Sequence, residues 1–178
     1  MSRALTILFA SAACALALVG AAAGATRKSV APSASSAALA VQVLGAVNQV
    51  RTQHGLVPLK LAPGLSAAAL QHAQEMAQDG YFSHDSVDGS AFWKRIQRTY
   101  GSNGFGLWSV GENLLWSSPD VDAAGAVKLW MESPEHRANL LTARWREIGL
   151  ATVHKAGAPG TFHGLDVTIV AADFGVRS

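Results

Sequence analysis

The chain has 178 residues, with 14 Lys or Arg, 12 Asp or Glu and a formal net charge of +2. The length predicts one domain. The near-neutral charge and the lack of a Lys/Arg cluster exclude a nucleic-acid-binding surface and attachment to an anionic membrane by charge alone. The single cysteine, Cys14, excludes an internal disulfide framework.

The N-terminus is typical of a secretory signal peptide. Arg3 precedes an apolar stretch from Leu5 to Val19, and the small residues Ala23-Gly24-Ala25 follow. We therefore predict a signal peptide at 1–25, cleavage after Ala25, and a secreted or periplasmic mature protein. Cleavage would also remove the only cysteine, which leaves no thiolate for a metal site.

Two other interpretations of this segment stay open. The apolar stretch approaches the length that spans a bilayer, so that it could be retained as an anchor. Cys14 could be lipidated, but Ser11-Ala12-Ala13 lacks the Leu or Val with which a lipobox usually begins.

Residues 26–36 are rich in Ser, Ala and Pro and predict a flexible linker, so the folded domain is placed at 37–178. No stable membrane insertion is expected after cleavage.

The first half of the domain has the periodicity of helices. Apolar residues at helical spacing predict a first helix ending near Gln53, a second from the turn at Pro63-Gly64 to Asp79, and a short third from Phe92 to Tyr100. The other face of the third helix carries three cations: Lys94, Arg95 and Arg98.

The second half of the domain contains most of the predicted strands. A buried strand is expected at 110–117. Ser118-Pro119 has the pattern of an N-cap and first position of a fourth helix, which Ser133-Pro134 ends. Strands at 148–153 and 165–171 close the chain. Helices first and most strands last indicate an α+β or layered α-β-α fold rather than a regular βαβ series.

No complete catalytic signature is present. The sequence has no His-Glu-x-x-His, no Gly-x-Ser-x-Gly and no phosphate loop. Any active site must therefore be assembled from separated segments.

Three such segments carry polar groups: His84 follows an aromatic pair, Glu112 follows Gly111, and His136 follows the fourth helix. Two imidazoles and a carboxylate could hold a divalent metal and leave one position for water. Each residue also has a simpler interpretation, as a helix cap, a surface group or a group that caps backbone amides. His72, on the inner face of the second helix, is interpreted as a core histidine with satisfied hydrogen bonds.

Six short segments occur in an order and spacing typical of one protein family. They are Asn48-x-x-Arg51-x-x-x-Gly55-Leu56-x-Pro58-Leu59, Phe82-Ser83-His84-Asp85, Gly111-Glu112-Asn113, Trp130-Met131-x-Ser133-Pro134-x-His136-Arg137-x-Asn139-Leu140-Leu141, Ile148-Gly149 and Phe174-Gly175. Together they resemble the CAP superfamily of cysteine-rich secretory, antigen 5 and pathogenesis-related proteins, in its small, cysteine-free bacterial type with an SCP-like extracellular domain. The similarity covers roughly Leu44 to Gly175.

This resemblance implies an α+β fold: a three-layer α-β-α sandwich with a mainly antiparallel central sheet and a large cleft. In the better-studied eukaryotic members of the family, two His and two acidic residues line the cleft and can bind zinc or another divalent cation. His84, Glu112 and His136 match three of these four positions. Two residues are candidates for the fourth cleft acid: Glu132 and Glu135. Three neighbours could hydrogen-bond the ligands: Ser83, Asp85 and Asn113.

Three functions follow as hypotheses. The first, which we rank highest, is binding of a lipid or other small apolar ligand, as family members do. The second is a metal-assisted hydrolase of peptide or cell-wall polymer, with a zinc-bound water between His84 and His136 and Glu112 as general base. The third is a purely structural cluster. No nucleophile or oxyanion donor can be identified, so an enzyme is not predicted. The oligomeric state is not predicted.

Overall fold

The computed structural model of the chain describes residues 34–178. The predicted signal peptide at 1–25 and the linker residues 26–33 lie outside the described residues. The elements in chain order are α1 (Ala34–Gln53), β1 (Lys60–Leu61), α2 (Pro63–Asp79), α3 (Phe92–Thr99), β2 (Trp108–Ser117), α4 (Ala123–Glu132), α5 (Pro134–Leu140), β3 (Glu147–Lys155), a 3-10 turn (Gly160–Phe162) and β4 (Val167–Arg177). Helix α1 thus begins within the predicted linker.

The four strands of the described region form one sheet in the order β1-β3-β4-β2. Strand β4 pairs antiparallel with both β2 and β3, whereas the two-residue β1, which was not predicted, pairs parallel with β3. The expected mainly antiparallel sheet is therefore confirmed. Strand β2 forms one edge of it.

Side chains alternate between two cores along the central strand β4. Val170, Ala172 and Phe174 pack with α1, α4 and α5, whereas Ile169 and Ala171 pack with α2. Because successive strand residues point to opposite faces, these two cores lie on opposite sides of the sheet. The predicted three-layer sandwich is confirmed.

The predicted start of the fourth helix is wrong. Helix α4 begins at Ala123 rather than at Ser118-Pro119, because the side chain of Asp122 accepts a hydrogen bond from the Gly125 amide at 2.7 Å and caps the helix there. Pro134 ends α4 as expected, but it also occupies the first turn of α5, a helix that was not predicted. His136 therefore lies on a helix and not in a loop.

The first of the six sequence segments joins α1 to the rest of the domain. Asn48 donates to the Leu59 carbonyl at 3.0 Å and accepts from the Leu59 amide at 2.7 Å. The guanidinium of Arg51, which is fully buried, donates to the carbonyls of Leu140 at 2.7 Å and Thr142 at 3.1 Å. These two side chains hold the end of α1 against β1 and against the end of α5.

Gly149 determines how closely α2 approaches the sheet. A Cβ atom at this position would lie 2.0 Å from the carbonyl carbon of Leu65 in α2, so the helix backbone would have to move. We expect Gly149→Ala to lower the free energy of unfolding by about 3 kcal/mol or more. Gly45→Ala is the matched control, because a Cβ there meets nothing within 4 Å and should stabilise α1 by about 0.5–1 kcal/mol. Urea denaturation measures both, and equal stabilities for the two variants would contradict this packing.

Candidate functional site

The loop that carries His84 follows directly after α2. Gly80, in the left-handed conformation with φ of 72°, ends that helix and turns the chain. His72 is fully buried, as predicted for a core histidine, and its Nε2 donates to the backbone carbonyl of Ser83 at 2.8 Å. The backbone next to His84 is therefore fixed from inside the domain.

Glu112 lies under this loop, on the edge strand β2. Its side chain is completely buried; Oε1 accepts a hydrogen bond from Nδ1 of His84 at 2.9 Å, and Oε2 accepts one from Nη2 of Arg95. Burial raises the pKa of Glu112, but the hydrogen bond from His84 and the positive charge of Arg95 outweigh this effect, and the pKa lies below its ordinary value. Glu112 is therefore held as a carboxylate.

Arg95 was expected on the face of α3 opposite its apolar residues, and that expectation is wrong: the residue is buried, with 1% of its surface exposed. Besides Glu112, its guanidinium donates to the backbone carbonyl of His84 at 3.3 Å and to Oγ of Ser86 at 3.0 Å. A single cation thus binds both the carboxylate that holds the His84 ring and the main chain of the His84 loop. A signal existed in the sequence, since Phe92, Arg95 and Ile96 share one helical face.

Asp173 is a second buried carboxyl group that the sequence analysis missed. It pairs directly with Glu112 across the β2–β4 ladder and is fully buried. Its oxygens find no hydrogen-bond donor among residues 34–178. Burial, followed by the charge of Glu112, raises the pKa of Asp173 well above its ordinary value. The folded state therefore favours a neutral, protonated Asp173 that can donate to Glu112.

The opposite face of β2 holds the second histidine segment. Nδ2 of Asn113 donates to the backbone carbonyl of His136 at 3.0 Å, and Oδ1 of Asn113 accepts from Nδ2 of Asn139 at 3.0 Å. A Cβ at Gly111 would lie 2.6 Å from Oδ1 of Asn139, so glycine is required for this approach. Glu112 and Asn113, as neighbours on one strand, thus support the two histidine segments from opposite faces.

The two histidine side chains lie close enough to interact electrostatically. His136 is half-buried on α5, and burial together with the charge of His84 lowers its pKa, which favours the neutral imidazole. The side chain of His84 is 50% exposed. The site is therefore a pair of imidazoles at the surface, with Glu112, Arg95 and Asp173 buried behind them.

Comparison with known proteins identifies the family. The sequence profile of the CAP family, described as the cysteine-rich secretory protein family, matches residues 44–165, which is more than half of the chain. The chain belongs to the CAP family. The resemblance seen in its motifs is confirmed.

The CAP domain has bacterial relatives of greater length. It is 28% identical over 114 residues to the uncharacterized membrane protein YlbC of Bacillus subtilis, covering 64% of this chain and 31% of that protein. It is 31% identical over 113 residues to the uncharacterized protein YkwD of the same organism, covering 63% of this chain and 41% of that protein. The chain thus spans well under half the length of these relatives.

Solved structures share the fold. An extracellular protein containing an SCP domain from Bacillus anthracis matches with a TM-score of 0.60 and 26% identity, over 80% of this chain and 41% of that chain. An outer surface protein of Borrelia burgdorferi matches with a TM-score of 0.58 and 21% identity, over 76% of this chain and 90% of that chain. At the latter identity the likeness shows the fold alone. Within residues 34–178 of the CAP domain, no helix is long and apolar enough to cross a membrane.

The remaining predicted site residues are placed as follows. Glu132 is exposed, with its carboxylate 3.8 Å from Nζ of Lys128 on the same helix. Glu135 is also exposed, and its charge acts on His136. Asp85 is exposed on the His84 loop. The hydroxyl of Ser83 accepts from the Asp85 amide at 3.2 Å. The buried acid next to Glu112 is Asp173 rather than either candidate on α4 and α5.

The predicted metal-ligand set does not come together as a coordination site. Among residues 34–178, no three His, Cys, Asp or Glu side chains are arranged so that they could hold a metal ion. His84 and His136 interact electrostatically, and both oxygens of Glu112 are already hydrogen-bonded within the protein. Binding of zinc or another divalent cation stays a prediction from the resemblance.

The raised pKa of Asp173 predicts a specific pH dependence. An unfolded Asp has a pKa of about 3.9. The stability gained by holding the proton on Asp173 is fully present below that pH and is lost as the pH rises through the folded pKa. Asp173→Asn keeps a donor for Glu112 without this proton, so its stability relative to the wild type should increase from about pH 4 to about pH 8. Urea unfolding at several pH values measures this.

The control for this test is Asp85→Asn, which makes the same chemical change on an exposed loop. Its stability relative to the wild type should stay constant across the same pH range. A relative stability of Asp173→Asn that falls as the pH rises would show that Asp173 is ionised in the folded protein.

Proposed function

We propose that this CAP domain is an extracellular binding protein that takes one acyl chain, or a similarly slender apolar molecule, in a groove between α1 and α2. The observation that carries the proposal is the groove itself. It has a volume of about 310 Å³, near the lower end of the ~300–1,000 Å³ typical of small-molecule sites. A single chain fits this size better than a bulky ring system does.

The groove is lined almost entirely by apolar side chains. The lining residues are Ser36, Ala37, Ala40, Val41, Leu44, Leu61, Ser66, Ala67, Leu70, Leu150, Ala151 and Thr152. The hydroxyl of Thr152 donates to the backbone carbonyl of Ser36 at 2.7 Å, so this polar group is already satisfied. A ligand at this position therefore meets mainly hydrocarbon, although the hydroxyl of Ser66, which also lines the groove, has no hydrogen-bond partner among residues 34–178.

The groove lies where the sheet is incomplete. Strand β1 pairs with β3 only at Lys60 and Leu61, so the later residues of β3 form the floor between the two helices. At the walls, Val41 is 66% exposed and Leu61 is 53% exposed. Covering this apolar area with a ligand would gain about 25 cal/mol for each Å² removed from water. The free energy for binding thus comes from surface that the domain alone leaves exposed.

The groove shares no lining residue with the cluster of His84, Glu112 and His136. Apolar binding and any chemistry at the histidines are consequently separable by mutation. The extracellular location is supported by the predicted signal peptide and by the likeness to an extracellular SCP-domain protein. Hydrolysis of peptide or cell-wall polymer stays a prediction, because within residues 34–178 no side-chain nucleophile is hydrogen-bonded to His84 or His136.

Titration of the purified protein with a dansyl-labelled fatty acid tests the proposal. Ala37 and Ala38 are adjacent and both exposed on α1, but only Ala37 lines the groove. We expect saturable uptake by the wild type and by Ala38→Phe. We expect affinity at least tenfold weaker for Ala37→Phe, because the ring would occupy the groove.

Two outcomes would contradict the proposal. One is the absence of saturable uptake by the wild type. The other is equal affinity of the two Phe variants, together with loss of uptake when His84 and His136 are both replaced by Ala. The second outcome would indicate that the ligand binds in the histidine cleft instead of the groove. Circular dichroism of each variant establishes that it is folded.

A further inference from the structure

We infer that Arg95 is the internal cation of the histidine cleft and that it commits Glu112 to orienting His84, so that Glu112 is a positioning residue and not a metal ligand in this chain. This inference is independent of the apolar groove. It assigns a role to Arg95, and it separates this CAP domain from the ligand set that the family resemblance implies.

Both oxygens of Glu112 already accept a hydrogen bond from a side chain of the protein. One oxygen accepts from Nδ1 of His84 and the other from Nη2 of Arg95, and the side chains of Glu112 and Arg95 are both completely buried. A divalent cation at Glu112 would have to displace one of these donors. It would also lie close to a guanidinium in a region of low dielectric, where like charges repel strongly.

Displacing Arg95 is the more costly of the two exchanges. A guanidinium stays charged at every physiological pH, and without Glu112 it would be a buried cation bound only to the His84 carbonyl and the Ser86 hydroxyl. Removing one partner of a buried ion pair leaves an uncompensated charge, which is strongly unfavourable. Arg95 therefore binds Glu112 in preference to a divalent cation, which would also have to lose water molecules.

The hydrogen bond from His84 to Glu112 determines the state of the imidazole. A carboxylate that accepts from Nδ1 holds the proton on that nitrogen and leaves Nε2 as a hydrogen-bond acceptor in the neutral ring. No other hydrogen-bond partner of the ring lies within residues 34–178, and the side chain is half-exposed. Nε2 is thus available to a hydroxyl or amide N–H group of a ligand.

Arg95 fixes this arrangement at two points. It holds the carboxylate that binds the His84 ring, and it binds the main-chain carbonyl of His84 itself. Lys at this position could satisfy only one of these contacts well, because an ammonium group lacks the planar fork of a guanidinium. The orientation of the ring therefore depends on Arg specifically.

Nuclear magnetic resonance of the wild-type protein tests the inference without a mutation. The ring ¹⁵N shifts should show that neutral His84 carries its proton on Nδ1. The ¹³C shift of the Glu112 carboxyl group should stay unchanged after one equivalent of zinc is added to tag-free protein. A proton on Nε2, or a stoichiometric zinc-dependent shift of the Glu112 carboxyl carbon, would overturn the inference.

Two substitutions give a second readout. Arg95→Met frees Glu112, so its zinc affinity by calorimetry should be at least tenfold higher than that of the wild type. Arg95→Lys retains a cation and should stay within about threefold of the wild type, but its His84 resonances should show a mixture of the two tautomers. Folded Arg95→Met with unchanged zinc affinity would contradict the inference. If Arg95→Met does not fold, the wild-type measurement decides.

Discussion

A buried ion pair between Arg95 and Glu112 organises the histidine cleft of this domain. Desolvating two charges costs several kcal/mol for each ion, and the pair is sustained because each partner makes further hydrogen bonds: Glu112 with His84, and Arg95 with the His84 carbonyl and Ser86. Asp173 lies beside the pair, and burial together with the charge of Glu112 raises its pKa, which favours its neutral form. The ion pair between Arg95 and Glu112 therefore balances the buried charges and also determines the position of His84.

The edge strand β2 connects this ion pair to the opposite side of the sheet. Glu112 points to the α2 face and supports His84, whereas Asn113 points to the α5 face and binds the main chain of His136. Gly111 allows Asn139 to approach, because any side chain there would collide with it. The Gly-Glu-Asn tripeptide therefore positions both histidine segments, which explains in physical terms why these three residue types stand together.

The sequence predicted much of the fold but only part of the site. Helical periodicity, turn residues and alternation were sufficient for α1, α2, α3, the three long strands and the sandwich, because these patterns are local. The start of α4 was wrong, since two capping patterns compete within five residues and the fold uses Asp122.

Arg95 was misplaced because a run of cations on a short helix is usually solvated, and its buried partner comes from a strand later in the chain. Asp173 was missed because its buried neighbour, Glu112, also lies on a different strand. The apolar groove arises from α1, α2 and β3 together, so no single segment indicates it. The role of His84, Glu112 and His136 in metal binding stays a prediction.

The position of His84 depends most on the coupling between Arg95 and Glu112, and a double-mutant cycle of stability measures this coupling directly. Arg95→Met and Glu112→Leu should each lower the free energy of unfolding by about 3–5 kcal/mol, because each leaves the other charge buried without the opposite charge of the ion pair. The double variant replaces both charges by apolar groups and should lose much less than the sum of the two, with a coupling energy of about 2 kcal/mol or more. Losses that add to within about 0.5 kcal/mol would show that the two residues act independently and would contradict the account.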